Sequence, residues 1–279
     1  MKDSELLAPV GTLSALVPMI EAGADAVYVG LSGLSSRPQS ADFTIQEIRY
    51  AAAICHDHHV KLHVAVNCCI RETMLEQTKA LLQELDNIGI DAVILADWGL
   101  IAYAVRQMKH TEVHASTLLG TYNTPTVRYL QQIGVKRLVF STNLYIDEIA
   151  SMIASVPEMQ YEFVADGGIC FNDNRICELP HLHDGENYRV YCRQPYILTM
   201  DGQIQKALPI HAESISSAEI AAMYLELGLY SFKVEGRTAD YHKVVRRVQK
   251  LRKMLDEASE HLTNKNSVLH YISRMRKRQ

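Results

Sequence analysis

The stretch AGADAVYVG, residues 22–30, joins the end of one helical pattern to the start of a buried strand. A glycine at such a joint can adopt the left-handed conformation that ends a helix. The apolar run after it is typical of a strand buried on both faces. The same form recurs as IGIDAVILA (88–96), IGVKRLVFS (133–141) and LGLYSFKVE (227–235). Four copies of a helix-to-strand joint indicate an α/β fold.

Four further apolar segments complete a regular alternation. They are ELLAPV (5–10), KLHVAV (61–66), EVHAS (112–116) and QYEFVA (160–165). The helical patterns cover residues 12–22, 44–59, 72–88, 98–109, 124–132, 145–155, 216–227 and 238–260. Alternation of strand and helix predicts a parallel sheet, and eight units in about 250 residues is the count of a TIM (β/α)8 barrel. An open doubly wound sheet is the alternative, but the chain has no glycine-rich phosphate-binding motif.

One connection is much longer than the others. We predict a single barrel domain over residues 1–262, with an insertion at 166–229 between strands seven and eight and a tail at 263–279. The insertion carries Cys170, Cys177 and Cys192, and a hairpin is expected with the turn MDG at 200–202. Because a loop that follows a barrel strand lies at the carboxyl end, where barrel active sites lie, the cysteines are expected beside the site.

Composition narrows the chemistry of these cysteines. The chain has 279 residues, is 48% hydrophobic and 22% charged, and contains no apolar run long enough for a membrane span. The amino-terminal segment has no apolar signal region, so we expect the protein to be in the cytoplasm. Disulfides rarely persist in that compartment. The cysteines are therefore expected to bind metal or to catalyse. The net charge of −4 argues against a broad RNA surface, although RMRKRQ (274–279) could tether RNA.

Polar residues follow the predicted strands and are expected to line the barrel mouth. The candidates in this group are Arg37, Asn67, His114, Glu162, Asp166, Glu235 and Arg237. Glu235 and Arg237, in KVEGR, offer a carboxylate and a guanidinium for anion binding or proton transfer. The alternative for such residues is a structural one, as helix caps or as buried core groups.

Two other clusters of candidate metal ligands are weaker. The run CHDHH (55–59) lies at the end of a predicted helix, on the amino-terminal face of the barrel, where residues serve stability. Cys68 and Cys69 follow strand three, so one of them could face the site. The alternative for Cys68 and Cys69 is a structural role as buried thiols.

Several segments, in this order along the chain, resemble the collagenase-like peptidase family U32. They are ELLAPVGT, ADAVYVG, VNCCIRE, HAST, the spacing of Glu162, Cys170 and Cys177, CRQPY and KVEGR. The family name implies proteolysis, but the chain has no GxSxG or HExxH motif. The resemblance also implies iron–sulfur enzymes that hydroxylate aromatic rings without oxygen, on quinone precursors or on pyrimidines of RNA, with prephenate as an oxygen source.

The resemblance implies that Cys170, Cys177 and Cys192 hold a [4Fe–4S] or [3Fe–4S] cluster, with zinc as the alternative. Thiolates suit either metal site. The family's fourth cysteine is absent, so the fourth ligand would come from another side chain. The candidates for this ligand are Cys68, Cys69, His181, His183 and Asp166.

We therefore predict an iron–sulfur-dependent, oxygen-independent hydroxylase of an aromatic substrate. In this hypothesis His114, Glu162 and Glu235 transfer protons. Arg37 and Arg237 hold an anionic group, and Asn67 orients the substrate. A small molecule is ranked above RNA as the substrate. The alternatives are a metal- or thiol-dependent peptidase and a non-catalytic subunit that carries a cluster for a homologous partner.

Overall fold

The chain alternates strands and helices along nearly its whole length. The computed structural model describes residues 4–36, 42–168, 196–208, 211–213 and 215–262. The strands are β1 (Glu5–Pro9), β2 (Ala26–Leu31), β3 (Asp42–Phe43), β4 (Lys61–Val66), β5 (Ala92–Leu95), β6 (Glu112–Ala115), β7 (Arg137–Val139), β8 (Gln160–Gly168), β9 (Tyr196–Met200), β10 (Gln203–Leu208), β11 (His211–Glu213) and β12 (Ser231–Val234). The helices are α1 (Leu13–Glu21), α2 (Ile45–Asp57), α3 (Leu75–Ile88), α4 (Trp98–Gln107), α5 (Thr124–Ile133), α6 (Ile146–Ser155), α7 (Ala218–Glu226) and α8 (Tyr241–Leu262).

Eight of the strands close into a parallel barrel. The ring runs β1, β12, β8, β7, β6, β5, β4 and β2, and β2 pairs with β1 to complete it. These are the eight strands that the sequence predicts, and all eight predicted helices are present within a few residues. The TIM-type barrel is confirmed and the open sheet is excluded, because an open sheet would leave β1 unpaired on one side.

The predicted helix-to-strand joints have the expected backbone. Gly89 and Gly134 follow α3 and α5 with φ angles of 84° and 104°, in the left-handed region. The amide of each glycine donates to a carbonyl in the last turn of its helix, as is typical of a helix end, and the next strand begins within three residues. At the other end of a helix, Thr44 and Glu47 form a reciprocal capping box that starts α2.

The long connection after β8 is only partly as predicted. The hairpin is confirmed: β9 and β10 pair antiparallel, and Asp201 and Gly202 form the turn with φ angles of 52° and 75°. The strand β8 runs to Gly168, beyond the predicted end at 165, because β11 pairs antiparallel with its last residues. The short strand β3, which pairs with the end of β2, is also absent from the prediction.

The barrel interior has an apolar layer and a charged layer. Leu7, Ala26, Tyr28, Ala65 and Ile94 form a separate buried cluster inside the ring. The larger apolar core lies between the strands and the surrounding helices. No helix in the part of the chain that the structure describes is both long enough and apolar enough to cross a membrane.

Candidate active site

The guanidinium of Arg237 is fixed at the carboxyl end of the barrel. It donates from Nη1 to Oδ1 of Asp42 (3.3 Å) and from Nη2 to Oγ of Ser35 (3.0 Å). Its carbon Cζ lies 5.7 Å from the centre of the Tyr28 ring. Only 4% of the Arg237 side chain is exposed. The loop after β12 is thereby tied to the segment that follows β2, with a positive charge held in a defined orientation.

Two glycines provide the space for this arrangement. A β-carbon at Gly30 would collide with Nη1 of Arg237 and Oδ1 of Asp42. A β-carbon at Gly11 would collide with the carbonyl oxygen of Arg237. Glycine is therefore required at both positions by close approach of other groups.

Asp42 was not among the predicted site residues. Burial raises the pKa of its carboxyl group above the ordinary value. Its Oδ2 is buried and has no hydrogen-bond partner among the described residues, while Oδ1 accepts from Arg237. A buried oxygen with an unused lone pair is a candidate acceptor for a substrate hydrogen. The sequence signal was faint, because Asp42 lies in a two-residue strand just before the cap of α2.

Glu235 and Asp166 join β12 to β8 beside Arg237. The Glu235 amide donates to the Asp166 carbonyl (2.8 Å), and Oε2 of Glu235 accepts from the Gly168 amide (3.1 Å). The Asp166 carboxylate accepts from Nε and Nη2 of Arg247 at 2.8 and 2.7 Å. Arg247 therefore engages both carboxylate oxygens, and a metal at Asp166 would share them with this ion pair.

The residues after β4, the strand beside β2 in the ring, also reach the carboxyl end. The side-chain oxygen of Asn67 accepts from the Ser36 amide (3.0 Å), and the Cys68 amide donates to the Leu34 carbonyl (3.2 Å). Cys68 is half-buried and burial raises the pKa of its thiol, whereas Cys69 is exposed. Asn67 thus orders the loop after β2, and two thiols lie near it.

His114 and Glu162 lie deeper in the barrel than the sequence suggests. Each is the third residue of its strand and neither side chain is exposed. Glu162 accepts from Lys233 (2.9 Å) and Arg137 (3.3 Å), and Nε2 of His114 contacts Oε2 of Glu112 (3.1 Å). The structure therefore groups Glu235, Arg237 and Asn67 at the mouth and places His114 and Glu162 in the interior.

The interior group contains further charged residues that the sequence did not single out. Arg137 and Glu5 form a bidentate ion pair, and Ser231 donates to the same carboxylate. Burial lowers the pKa of His63 to about 3 and lowers that of His114 well below its ordinary value, so both imidazoles are neutral at pH 7. The signal was alternation: Glu5 and His63 share the inward face of strands interpreted as apolar throughout.

The remaining predicted residues lie outside the described part of the chain. They are Cys170, Cys177, Cys192, His181, His183 and Arg37. The first five belong to the segment between β8 and β9.

The fold and the polar mouth define a (β/α)8 barrel with a candidate site at the carboxyl end, where barrel enzymes hold theirs. A family model described as peptidase family U32 matches residues 11–279. The chain belongs to this family, and the resemblance drawn from its motifs is confirmed.

Curated relatives carry two kinds of name. The chain is 28% identical over 92% of its length to the 23S rRNA 5-hydroxycytidine C2501 synthase of Escherichia coli, and spans 40% of that protein. It is 26% identical to tRNA hydroxylation protein P1 of Bacillus subtilis, over 91% of the chain and 64% of the relative. It is also 26% identical to a collagenase of Porphyromonas gingivalis, over 85% and 62%. In each case the chain spans less than two thirds of the relative.

Solved structures support the fold. A U32 peptidase structure covers 85% of this chain and 94% of its own with a TM-score of 0.58 at 11% identity. The tryptophan synthase alpha chain of Legionella pneumophila covers 91% and 92% with a TM-score of 0.52 at 13% identity. At these identities the likeness concerns the barrel alone.

Proposed function

We propose that this protein is an enzyme that hydroxylates a pyrimidine ring in RNA. The observation that carries the proposal is that Arg237 and Glu235 are each held by hydrogen bonds at the carboxyl end of the barrel. The chain that carries these two residues is similar over about nine tenths of its length to proteins named for RNA hydroxylation. Neither a small-molecule substrate nor a homologous partner subunit has comparable support, so RNA takes the first rank.

The mouth residues have complementary roles in this proposal. Arg237 holds a carbonyl or anionic group, with Asp42 and Ser35 fixing the plane of its guanidinium. Glu235, held by the Gly168 amide, moves a proton at the reacting ring. Asn67 holds the loop after β2 against the end of β4, and this loop forms part of the wall of the barrel mouth. Arg37, from the same connection, is a second candidate for the anion.

An iron–sulfur cluster fits the donors that the chain offers. Cys170, Cys177 and Cys192 would supply three thiolates, and Cys68 or Cys69 is the candidate for the fourth, since four thiolates are the common ligand set. When bound, the cluster would supply electron transfer and Lewis acidity toward an oxygen donor such as prephenate. The same thiolates would accept zinc as the alternative.

The cofactor is tested by anaerobic purification followed by an absorption spectrum and by iron, sulfide and zinc assays. We expect a coloured protein with matching iron and sulfide, and loss of the colour in the variant Cys177→Ser. A colourless protein with one zinc per chain that is lost in Cys177→Ser would replace the cluster with a zinc site.

The activity is tested with RNA isolated from a strain that lacks the gene. We incubate this RNA with iron-loaded protein and prephenate without oxygen, and then analyse the nucleosides by mass spectrometry. We expect a pyrimidine nucleoside that gains one oxygen atom with the wild-type chain and does not with Cys177→Ser. The absence of this product, together with cleavage of gelatin by the same protein, would favour the peptidase that the collagenase relative suggests.

A further inference from the structure

Three side chains inside the barrel bring potential metal ligands together. His63, His114 and Glu162 each offer one ligand atom, and these atoms all lie within 4.8 Å of one another. The three residues occupy the third position of β4, β6 and β8, which are alternate strands of the ring. Alternate strands contribute the side chains of one layer in a (β/α)8 barrel, so the cluster follows from the barrel's own geometry.

The hydrogen bond of His114 fixes which of its nitrogens has a lone pair. Nε2 lies 3.1 Å from the carboxylate of Glu112, which can only accept when ionised, so Nε2 carries the proton. Nδ1 therefore has a free lone pair, and it is buried without a hydrogen-bond partner among the described residues. A carboxylate behind a histidine is the usual support for a metal-bound imidazole.

His63 leaves a second ring nitrogen unsatisfied at the same place. Its Nδ1 is also buried without a partner in the described part of the chain. The two imidazole rings are 5.0 Å apart and nearly perpendicular. Two buried nitrogens without a partner among the described residues are costly unless a bound group satisfies them.

We propose that His63, His114 and Glu162 bind one divalent transition-metal ion, zinc or ferrous iron, inside the barrel, with Glu112 orienting His114. Two imidazoles and a carboxylate are a ligand set that both ions use in proteins. At metal–ligand distances near 2.1 Å, tetrahedral ligand atoms are roughly 3.4 Å apart. The ligand atoms therefore need to approach one another by at most about 1.4 Å, which small side-chain rotations can supply.

The surrounding charges limit the affinity of this site. Glu162 already accepts from Lys233 and Arg137, but a carboxylate has about four lone-pair positions and can hold an ion as well. Lys233 and Arg137 repel a dication, while Glu5 and Glu112 attract it. We therefore expect weaker binding than at a closed structural zinc site.

The site is separate from the mouth and has its own approach. Ala65, the next inward-facing residue after His63 on β4 toward the carboxyl end, belongs to the buried apolar cluster. A pocket of about 430 Å³ opens on the amino-terminal face and is lined by Glu5, Lys61 and Tyr230, among others. Lys61, which contacts Glu5 at 3.3 Å and is 47% exposed, can move to admit an ion.

The test is a titration of the metal-free full chain with Co²⁺, whose spectrum separates nitrogen and oxygen ligands from thiolates. We expect one equivalent whose bands lack thiolate charge transfer. This equivalent should be lost in His63→Gln and kept in the matched control His110→Gln, which alters an exposed histidine that does not line this pocket. Glu112→Gln, a change at a half-exposed side chain, should weaken it about 10- to 100-fold.

The melting temperature gives a second readout that does not depend on the spectrum. Co²⁺ should raise it in the wild-type chain and in His110→Gln, and should leave it unchanged in a folded His63→Gln variant. Two results would overturn the proposal. One is cobalt absorption that is entirely of the thiolate type. The other is cobalt absorption in His63→Gln and Glu112→Gln that is the same as in the wild-type chain.

Discussion

The guanidinium of Arg137 forms a bidentate ion pair with the carboxylate of Glu5 across the inside of the barrel, although 132 positions separate them in the chain. They belong to β7 and β1, which are not neighbours in the sheet. Both side chains are almost fully buried, at 1% and 2% exposure. Because each charge is out of water, each depends on the other, and the pair links opposite parts of the ring.

Removing one partner of this pair should strongly destabilise the fold. Arg137→Met leaves Glu5 and Glu162 buried with less compensation, so we expect the free energy of unfolding to fall by about 3–5 kcal/mol. Urea denaturation of both proteins at pH 7 measures this difference. The control is Arg49→Met, which breaks the exposed pair with Glu84 and should cost less than about 1 kcal/mol. Equal losses in the two variants would show that burial does not matter here.

The same network predicts how stability depends on pH. Burial alone would raise the pKa of Glu5, but its interactions with His63, Arg137 and Lys61 outweigh this and hold the pKa below the ordinary 4.5. A carboxyl group with a lowered folded-state pKa stabilises the fold above 4.5, and this contribution is lost as the pH falls toward the folded value. We expect the unfolding free energy to decline below about pH 5.

The variant Glu5→Gln checks this assignment. Its stability should be lower at pH 7 and should decline less steeply between pH 5 and pH 3 than that of the wild-type chain. Glu84→Gln, at an exposed ion pair, should keep the wild-type slope. A slope in Glu5→Gln that matches the wild-type slope would assign the acid sensitivity to other groups.

A single methyl group should disrupt the mouth. In Gly30→Ala the new carbon takes the place of the Arg237 and Asp42 side-chain atoms, so the guanidinium must move. We expect hydroxylation to fall by about 100-fold, as displacement of a positioning group commonly does. Gly99→Ala, in the first turn of α4, is the matched control and should stay active. Full activity in Gly30→Ala would remove Arg237 from the site.

Cysteine reactivity should follow burial. Burial raises the pKa of Cys55 to about 12 and raises that of Cys68, whereas Cys69 is exposed. Among Cys55, Cys68 and Cys69, we expect iodoacetamide to label Cys69 first and Cys55 only after unfolding, because the thiolate is the reactive form. Peptide mass spectrometry with and without reconstituted iron and sulfide would then identify the fourth ligand as the thiol that becomes protected. Labelling of Cys55 in the folded chain would contradict the burial.

Much of the fold could be predicted because local signals agree with it. Gly23, Gly89, Gly134 and Gly228 follow α1, α3, α5 and α7 with positive φ angles, so a helix ends where the next buried strand begins in four repeats of the barrel. The hairpin turn at Asp201 and Gly202 was equally local. The end of β8 could not be predicted from local sequence, because its last residues pair with β11, which lies more than forty residues further along the chain.

The site was less predictable, because side chains meet there from distant strands. Glu162 was expected at a strand end, yet it lies inside the barrel against Arg137 and Lys233. Asp42 belongs to the mouth only because Arg237, 195 positions later, reaches it. A strand's sequence shows which residues alternate, but the partners across the ring depend on closure of the barrel.

The most direct test of RNA hydroxylation at this mouth is nucleoside analysis of total RNA from a strain without the gene, complemented with defined variants. We predict that deletion removes a hydroxylated pyrimidine nucleoside, and that the wild-type chain and Arg49→Lys restore it. Arg237→Lys should restore at most about a tenth, because lysine cannot reproduce the planar pair of bonds to Asp42 and Ser35. An unchanged nucleoside profile after deletion, or full restoration by Arg237→Lys, would contradict the account.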